Sequence, residues 1–278
     1  MNPRRWLVHR VVAAAGGLTR LFPPESARYR RVFLPAYFAY KRHLEDPFAA
    51  LVANRPDLFR GGDIFDIGAN VGYTTTLFAA AADPGARVVA FEPDETNFAV
   101  LTDLLQRRGL APRVEAVRSA VGAAPGRVPF WRNEAHQGDH RVFSAHLART
   151  GREARTVTEV PLTSLDAFRA AQAAPGPVAF IKIDVQGYEP AVCEGMTASL
   201  AAHPAAVIAV EFSPADLHDQ GHDPGVLPAF FRDRGYRAHP LRRRGPLRPV
   251  AEADLPALAA AHGYVDLLFS RRRLEGGV

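Results

Sequence analysis

The segment Phe65-Asp66-Ile67-Gly68-Ala69-Asn70-Val71-Gly72-Tyr73-Thr74 constrains the fold of this chain more than any other. An apolar run ends at Asp66 and Ile67, a loop holding Gly68 and Gly72 follows, and a helical pattern opens near Tyr73. A strand that passes into a helix across so short a loop uses glycine, which turns sharply and leaves room for a ligand at the strand end. The same alternation continues on both sides. Residues 63–67, 87–91 and 113–117 read as strands, and 73–82 and 95–108 as helices, the second ended by Gly109. Residues 178–185 are nearly all apolar, as in a strand buried on both faces. A helix over 190–202, a buried strand over 205–212, a helix near 227–234 and a strand over 264–270 complete the series. Strands alternating with helices specify an α/β fold with a doubly wound, mostly parallel sheet.

With 278 residues the chain suits one large α/β domain or two small ones. Residues 1–60 read as a helical N-terminal extension, broken at Pro23-Pro24 and Pro56, and 61–278 as the main domain. Residues 127–163 interrupt the rhythm with a polar, His- and Arg-rich stretch holding two short strands. An excursion of this length before the fourth strand reads as an insertion serving as a substrate lid. An apolar content of 47% and a charged content of 23% exclude disorder, collagen and a disulfide scaffold. Cys193 is the single cysteine, which rules out an intrachain disulfide or a cysteine metal cluster and fits a reducing, cytoplasmic setting. The apolar run 11–18 behind Arg4-Arg5 is too short to cross a bilayer. It reads as an amphipathic helix packed on the domain, with peripheral membrane contact as the alternative. The net charge of +5 is dispersed, and only Lys41 and Lys182 among 34 basic residues are lysines. That arginine bias fits a GC-rich genome, and no nucleic-acid partner is expected. Arg242–Arg244 and Arg271–Arg273 read as solvated charge runs.

The glycine loop reads D-x-G-x-N-x-G, not the G-x-G-x-x-G that seats a dinucleotide pyrophosphate. A carboxylate at Asp66 repels phosphate and suits a ligand carrying an ammonium group, as S-adenosylmethionine does. Glu92 lies 20 residues past Gly72, at the end of the next strand, where an acid accepts hydrogen bonds from ribose hydroxyls. Asp94, directly before a helix, reads as its cap; Asn97 either supports that loop or is solvated. Ser119 and Ala120, in Ser119-Ala120-Val121-Gly122, fit a wall against a flat adenine. In Ile181-Lys182-Ile183-Asp184-Val185-Gln186-Gly187-Tyr188-Glu189, Asp184 stands at the carboxyl end of a central strand. There it either binds an amino group, orients a hydroxyl, takes a proton, or pairs internally with Lys182.

These blocks, in this order, resemble the FkbM-like S-adenosylmethionine-dependent methyltransferases over about residues 61–212. The resemblance implies a class I methyltransferase (Rossmann-like) fold with a seven-stranded sheet, S-adenosylmethionine as cofactor, and methyl transfer to a hydroxyl of a small-molecule acceptor. A sugar, glycoside or polyketide-like natural product is the expected acceptor. The cofactor loop maps onto Asp66, Gly68, Asn70 and Gly72, with Tyr73 and Thr74 behind it, the ribose acid onto Glu92, and the strand-end acid onto Asp184. Where the family reads D-V-E-G, this chain has Gln186, so a mechanism needing an acid there must draw on Glu189 or Glu211. Asp184 and His140 are the candidate bases. His136, Asp139 and Arg141 are the candidate substrate contacts on the lid, and no metal is expected. Further substrate contacts are expected from the N-terminal helices and the segment after Glu211, in an acidic cleft. The alternatives are N-methylation of a peptide or amine, a nicotinamide-dependent oxidoreductase, and a non-catalytic binding module. The acceptor and the oligomeric state are not encoded in these motifs.

Overall fold

A computed structural model describes residues 26, 28–132, 140–144, 146–147 and 157–274. His136, Asp139 and the amphipathic run 11–18 lie outside them. The main sheet has seven strands. In chain order they are β1 (Asp63–Ile67), β2 (Val88–Phe91), β3 (Val114–Val117), β8 (Val178–Ile183), β9 (Val207–Phe212), β10 (Arg237–Pro240) and β11 (Val265–Ser270). The spatial order is β10-β11-β9-β8-β1-β2-β3. All neighbours are parallel except β11, which runs antiparallel to both β9 and β10. The chain winds outward from β1 to β2 and β3, then returns to place β8 on its other side. The loops after β1 and β8 therefore part at the position where an α/β sheet opens a crevice.

Alternation along the strands divides the core between the two faces of the sheet. Phe65, Ile67, Phe91, Ile181 and Ile208 face one way, onto Met196, Leu227 and Phe231. Ile64, Ala90, Phe180 and Ala209 face the other, onto Phe48, Phe59 and Phe78. A third cluster joins Tyr29, Leu34 and Phe38 to Val71, Tyr73 and Leu104. It clamps an N-terminal helical strap across the carboxyl rim of the sheet. The strap consists of α1 (Leu34–Tyr40) flanked by two wide turns, Tyr29–Phe33 and Lys41–Glu45, followed by α2 (Phe48–Asn54). In the second turn the Asp46 amide donates to the Lys41 carbonyl at 2.8 Å, one residue further back than in an α-helix.

Four departures from the sequence reading have physical causes. The stretch read as two short strands supplies three, β5 (Gly126–Trp131), β6 (Arg141–Val142) and β7 (Val157–Thr163), which join β4 (Ala120–Val121) from just before it in a second sheet of four, in the order β4-β7-β5-β6. One face of it is apolar, with Ala120, Phe130, Val142 and Val160 buried together. The helix read over 190–202 divides into Glu189–Glu194 and Thr197–Ala202 at Gly195, which packs against the Gly122 carbonyl too closely to admit a side chain. β8 stops at Ile183, because Gln186 and Gly187 take left-handed angles, φ 56° and 95°. β10 was not anticipated, being four residues long and ending in proline, and neither was the helix Pro214–Asp219, which Ser213 caps. No helix among the described residues is long and apolar enough to cross a membrane.

Replacing Gly195 by alanine should force the two helices away from the Gly122 carbonyl and destabilise the fold by about 1–3 kcal/mol. Thermal unfolding should register a loss of roughly 2–8 °C. An unchanged midpoint would show that the Gly122–Gly195 contact does not constrain the fold.

Candidate active site

The loop after β1 has three residues with left-handed backbone within five positions: Gly68 at φ 79°, Asn70 at 51° and Gly72 at 89°. A Cβ on Gly68 would collide with the Asp184 carbonyl, so the loops after β1 and β8 touch backbone to backbone. The loop also consumes its own amides. Gly68 and Ala69 donate to the Phe91 carbonyl at 3.1 and 2.9 Å, Gly72 to the Ala69 carbonyl at 2.9 Å, and Asn70 to Glu92 Oε2 at 2.8 Å. Four of the loop's amides are therefore already engaged within the fold.

Asp66 requires a correction. It has no exposed surface, and its Oδ2 accepts hydrogen bonds from the Thr74 and Thr75 hydroxyls at 2.9 and 2.6 Å. Its place is beneath the loop, pinning the start of the helix α3 (Tyr73–Ala81), and a ligand meets it only through its neighbours. Glu92, at the end of β2, accepts from both the Asn70 and Asp94 amides, and burial pushes its carboxyl up to about 8. Asp94 caps the helix Glu95–Arg107, accepting from the Thr96 and Asn97 amides at 2.9 Å, and Asn97 is buried below it. Ser119 also needs correcting. Its hydroxyl donates to the Ala120 and Pro161 carbonyls at 2.8 and 3.1 Å, so it ties the two sheets together instead of facing a ring. Ala120 is buried in β4.

On the β8 side, Lys182 is buried and its Nζ lies 2.8 Å from the Gly68 carbonyl, 3.2 Å from Asp184 and 3.5 Å from Asp66. Burial alone would lower its proton affinity, but the two carboxylates raise it overall. Asp184 keeps a third of its side chain exposed to the cleft. Burial pushes its carboxyl up, yet the Lys182 ammonium more than reverses this and holds it below the usual range. Gln186 Nε2 donates to both Asp184 Oδ1 and Glu211 Oε1 at 3.1 Å, bridging the ends of β8 and β9. Glu211, half-buried at the end of β9, is raised well above the usual range by burial and by the Asp184 and Asp266 carboxylates.

Three further candidates sit elsewhere. Glu189 is 2% exposed and its Oε1 accepts the Val185 and Gly187 amides, so it locks the turn after β8. Arg141 is buried and ion-paired to Asp216 at 2.8 Å, docking the second sheet onto the main domain. The His140 ring meets Phe130 edge-on at 6.3 Å and is not among the residues that line the cleft. Both its candidacy as base and the candidacy of Arg141 as substrate contact are therefore withdrawn.

The cleft closes with residues that the motifs did not single out. Tyr37, Lys41, Glu45 and Asp46 reach it from the strap, Asp266 from β11 and Tyr264 from just before that strand. Lys41 pairs with Glu45 at 2.7 Å. The sequence did carry one signal: the two lysines of this arginine-rich chain, Lys41 and Lys182, both line this cleft. No group of three or more ligating side chains that could hold a metal occurs among the described residues. A larger groove of about 1030 Å³, lined by Arg237, Arg248 and Arg273 among others, opens toward the far end of β10 and β11 and gathers no carboxylate cluster.

Lys182→Met should leave Asp66 and Asp184 without their cation and destabilise the fold by about 3–5 kcal/mol in urea unfolding, the cost of stranding a buried charge. A loss below about 1 kcal/mol would show that the triad is not the joint described above. The raised carboxyls set a pH trend. Glu92 at about 8, Asp266 at about 8 and Glu189 at about 7 keep protons in the folded chain that the unfolded chain releases near about pH 4. Their contribution is full below that unfolded value and is lost as pH rises through the folded ones. The urea midpoint should therefore fall from pH 5.5 to 8.5, and a rising midpoint would contradict these environments.

Solved structures with related folds share little sequence. The methyltransferase FkbM from Methylobacillus flagellatus KT is 17% identical, with 85% of this chain and 51% of that one covered and a TM-score of 0.47. The chain thus spans about half the length of that protein. An O-methyltransferase from Bacillus cereus, in complex with SAH, is 17% identical over 94% of this chain and 97% of that one, with a TM-score of 0.43. A SAM-dependent O-methyltransferase from Thermotoga maritima is 15% identical over 82% and 65%, with a TM-score of 0.40. A search of curated proteins returned no match. The model of the methyltransferase FkbM domain matches residues 66–238, more than half of the sequence. The chain belongs to this family of S-adenosylmethionine-dependent methyltransferases.

Proposed function

We propose that the protein transfers a methyl group from S-adenosylmethionine to a hydroxyl of a small-molecule acceptor such as a sugar, glycoside or natural product. The observation that carries this reading is the donor set at one rim. Glu92 at the end of β2 and Asp184 at the end of β8 flank a tight loop whose Gly68, Ala69, Asn70 and Gly72 amides are engaged within the fold. Carboxylates suit the ribose hydroxyls and the amino group of this cofactor, which contains no phosphate. Glu92 would hold the ribose, Asp184 the amino group, and the backbone of Gly68 to Gly72 the span between them. When bound, the cofactor supplies a methyl on a sulfonium: its C–S bond breaks as the C–O bond forms, and the acceptor hydroxyl gives up its proton.

The chain's own contribution is placement and a proton acceptor. Alignment within about 3 Å of the methyl supplies much of the rate. A base works best when its proton affinity lies near the working pH. Asp184, held ionised by Lys182, is a weak base and a strong orienter. Glu211, with raised affinity and a fixed place beside Gln186, is the better proton acceptor.

Calorimetric titration should show binding of S-adenosylhomocysteine and none of NAD, with Glu92→Ala at least about tenfold weaker, equal to about 1.4 kcal/mol. Glu211→Gln should bind S-adenosylhomocysteine as the wild type does while turnover falls by about 10²–10⁴. Failure of the wild type to bind S-adenosylhomocysteine would remove the reading altogether. Tight binding without methylated product across hydroxylated sugars, polyketides and peptides would favour the non-catalytic alternative.

A further inference from the structure

The outer face of the strap carries apolar and basic side chains and no acid. Tyr29–Glu45 is one unbroken helical run whose inner side buries Tyr29, Leu34 and Phe38. Its exposed residues pass from Arg31 and Val32 through a proline and two alanines to Arg42, His43 and Leu44. A surface helix ordinarily turns charged and polar side chains of both signs to water. Here Val32 and Leu44 are 59% and 65% exposed, two of the four large apolar side chains exposed among the described residues. A straight α-helix, at about 100° per residue, would set them about 120° apart around the axis. The two wide turns advance by less per residue and narrow that angle. The departure from α-helical geometry thus gathers the exposed apolar side chains toward one side.

The charge around this face is one-sided. Up to Leu44 the chain holds nine arginine and lysine residues against a single acid, Glu25, whereas the rest holds 25 basic and 28 acidic residues. The next two residues, Glu45 and Asp46, are acidic, and both line the cleft on the inner side. Cations near that side are paired, Arg30 with Asp103 and Lys41 with Glu45. Arg31 and Arg42 form no ion pair among the described residues. Two neighbours add to them. The Arg108 guanidinium lies 5.4 Å from the Phe38 ring, and Arg243 donates to the Arg42 carbonyl at 3.5 Å; neither has a carboxylate partner among the described residues. Arginine stays charged across the physiological range, so this surplus is not relieved by a change of protonation.

We infer that the outer face of the strap docks on an anionic lipid bilayer, with Val32 and Leu44 entering between headgroups and Arg31, Arg42, Arg108 and Arg243 meeting lipid phosphates. A nucleic-acid backbone would suit the arginines and gain nothing from an exposed valine and leucine. A second copy of the same face would bring like charges together. The inner side of this helix walls the cleft with Tyr37, Lys41, Glu45 and Asp46, so a bilayer on the outer side lies about one helix diameter, on the order of 10 Å, from the site. The inference rests on the strap alone and does not need the methyl-transfer reading.

The test sediments the full chain with vesicles of phosphatidylcholine, and of phosphatidylcholine with roughly one-third phosphatidylglycerol, in about 0.1 M salt. Anionic vesicles should bind at least about tenfold more strongly than neutral ones, and about 0.5 M salt should weaken that binding. The double substitution Arg31→Glu with Arg42→Glu should lower the partition coefficient at least about tenfold. Val32→Ser with Leu44→Ser keeps every charge and should lower it at least about threefold through the lost apolar contact. All four positions are exposed, so both variants should melt within about 2 °C of the wild type. A second measurement keeps the fold intact: Cys193, the single native cysteine, is buried, so Leu44→Cys can carry an environment-sensitive fluorophore alone. Its emission should shift to the blue on anionic vesicles, and an unshifted emission overturns the inference. So does the absence of a preference for anionic vesicles, or a partition that survives either double substitution. A single-stranded polynucleotide that binds the chain more tightly than vesicles do, with the serine variant binding it as the wild type does, assigns the face to nucleic acid and overturns the lipid reading.

Discussion

The site depends on one buried cation. Lys182 Nζ touches a carbonyl of the β1 loop, the carboxylate at the end of β8, and the carboxylate beneath the start of α3. A single ammonium taken out of water is costly, and it is tolerated only where several acceptors converge on it. Here the acceptors come from the two strands whose connections part, so the ion both fixes the crevice and keeps Asp184 ionised within it. The backbone contact between Gly68 and Asp184 needs the same arrangement. With the two loops held this way, Glu92 can close the far side through Asn70.

The polar groups around this joint divide by what their partners are. Carboxylates that complete local structure find amides or hydroxyls: Asp66 from Thr74 and Thr75, Asp94 from its helix start, Glu189 from its own turn. Of the carboxylates that look into the cleft, Asp184 and Glu45 find a lysine, while Glu211 and Asp266 oppose one another across two strands. Native folds satisfy buried polar groups wherever they can, so an opposed pair is a cost that packing does not explain. Gln186 moderates it at one point. Its amide carries two donor hydrogens and serves two carboxylates, and it does so from a left-handed backbone that few non-glycine residues adopt. A carboxylate in its place would add a charge where an amide removes one conflict.

Much of the framework was legible because it is local. The pattern of glycines after an apolar run placed the β1 loop, and the spacing to Glu92 placed the second acid, since strand, turn and helix lengths leave little freedom between them. The cap at Asp94 followed from its position alone. What was not legible depends on long-range packing. Nothing near Gly195 in sequence reveals that the Gly122 carbonyl will press against it. Nothing near Arg141 reveals Asp216, 75 residues on, so a buried ion pair read as a free lid residue. Asp66 was placed correctly in the fold and wrongly in depth, because whether a strand-end acid faces the ligand or the helix beneath it depends on Thr74 and Thr75. The strap residues carried no motif at all.

The two lysines connect these levels. In a chain that uses arginine for nearly every other basic position, the two exceptions meet over one cleft from segments 141 residues apart. Arginine spreads its charge over a planar fork with five donors, whereas lysine offers a compact, strongly hydrated point charge. At position 182 a point charge is what fits among the Gly68 carbonyl, Asp184 and Asp66, and a fork would push those loops apart. At position 41 the same compactness lets the ammonium pair with Glu45 one wide turn away while lying 5.8 Å from the Tyr37 ring. Both cations are thus committed to neighbours within their own walls. The cleft between them is lined by Asp46, Glu211 and Asp266, whose burial raises their proton affinities instead of pairing them with a cation.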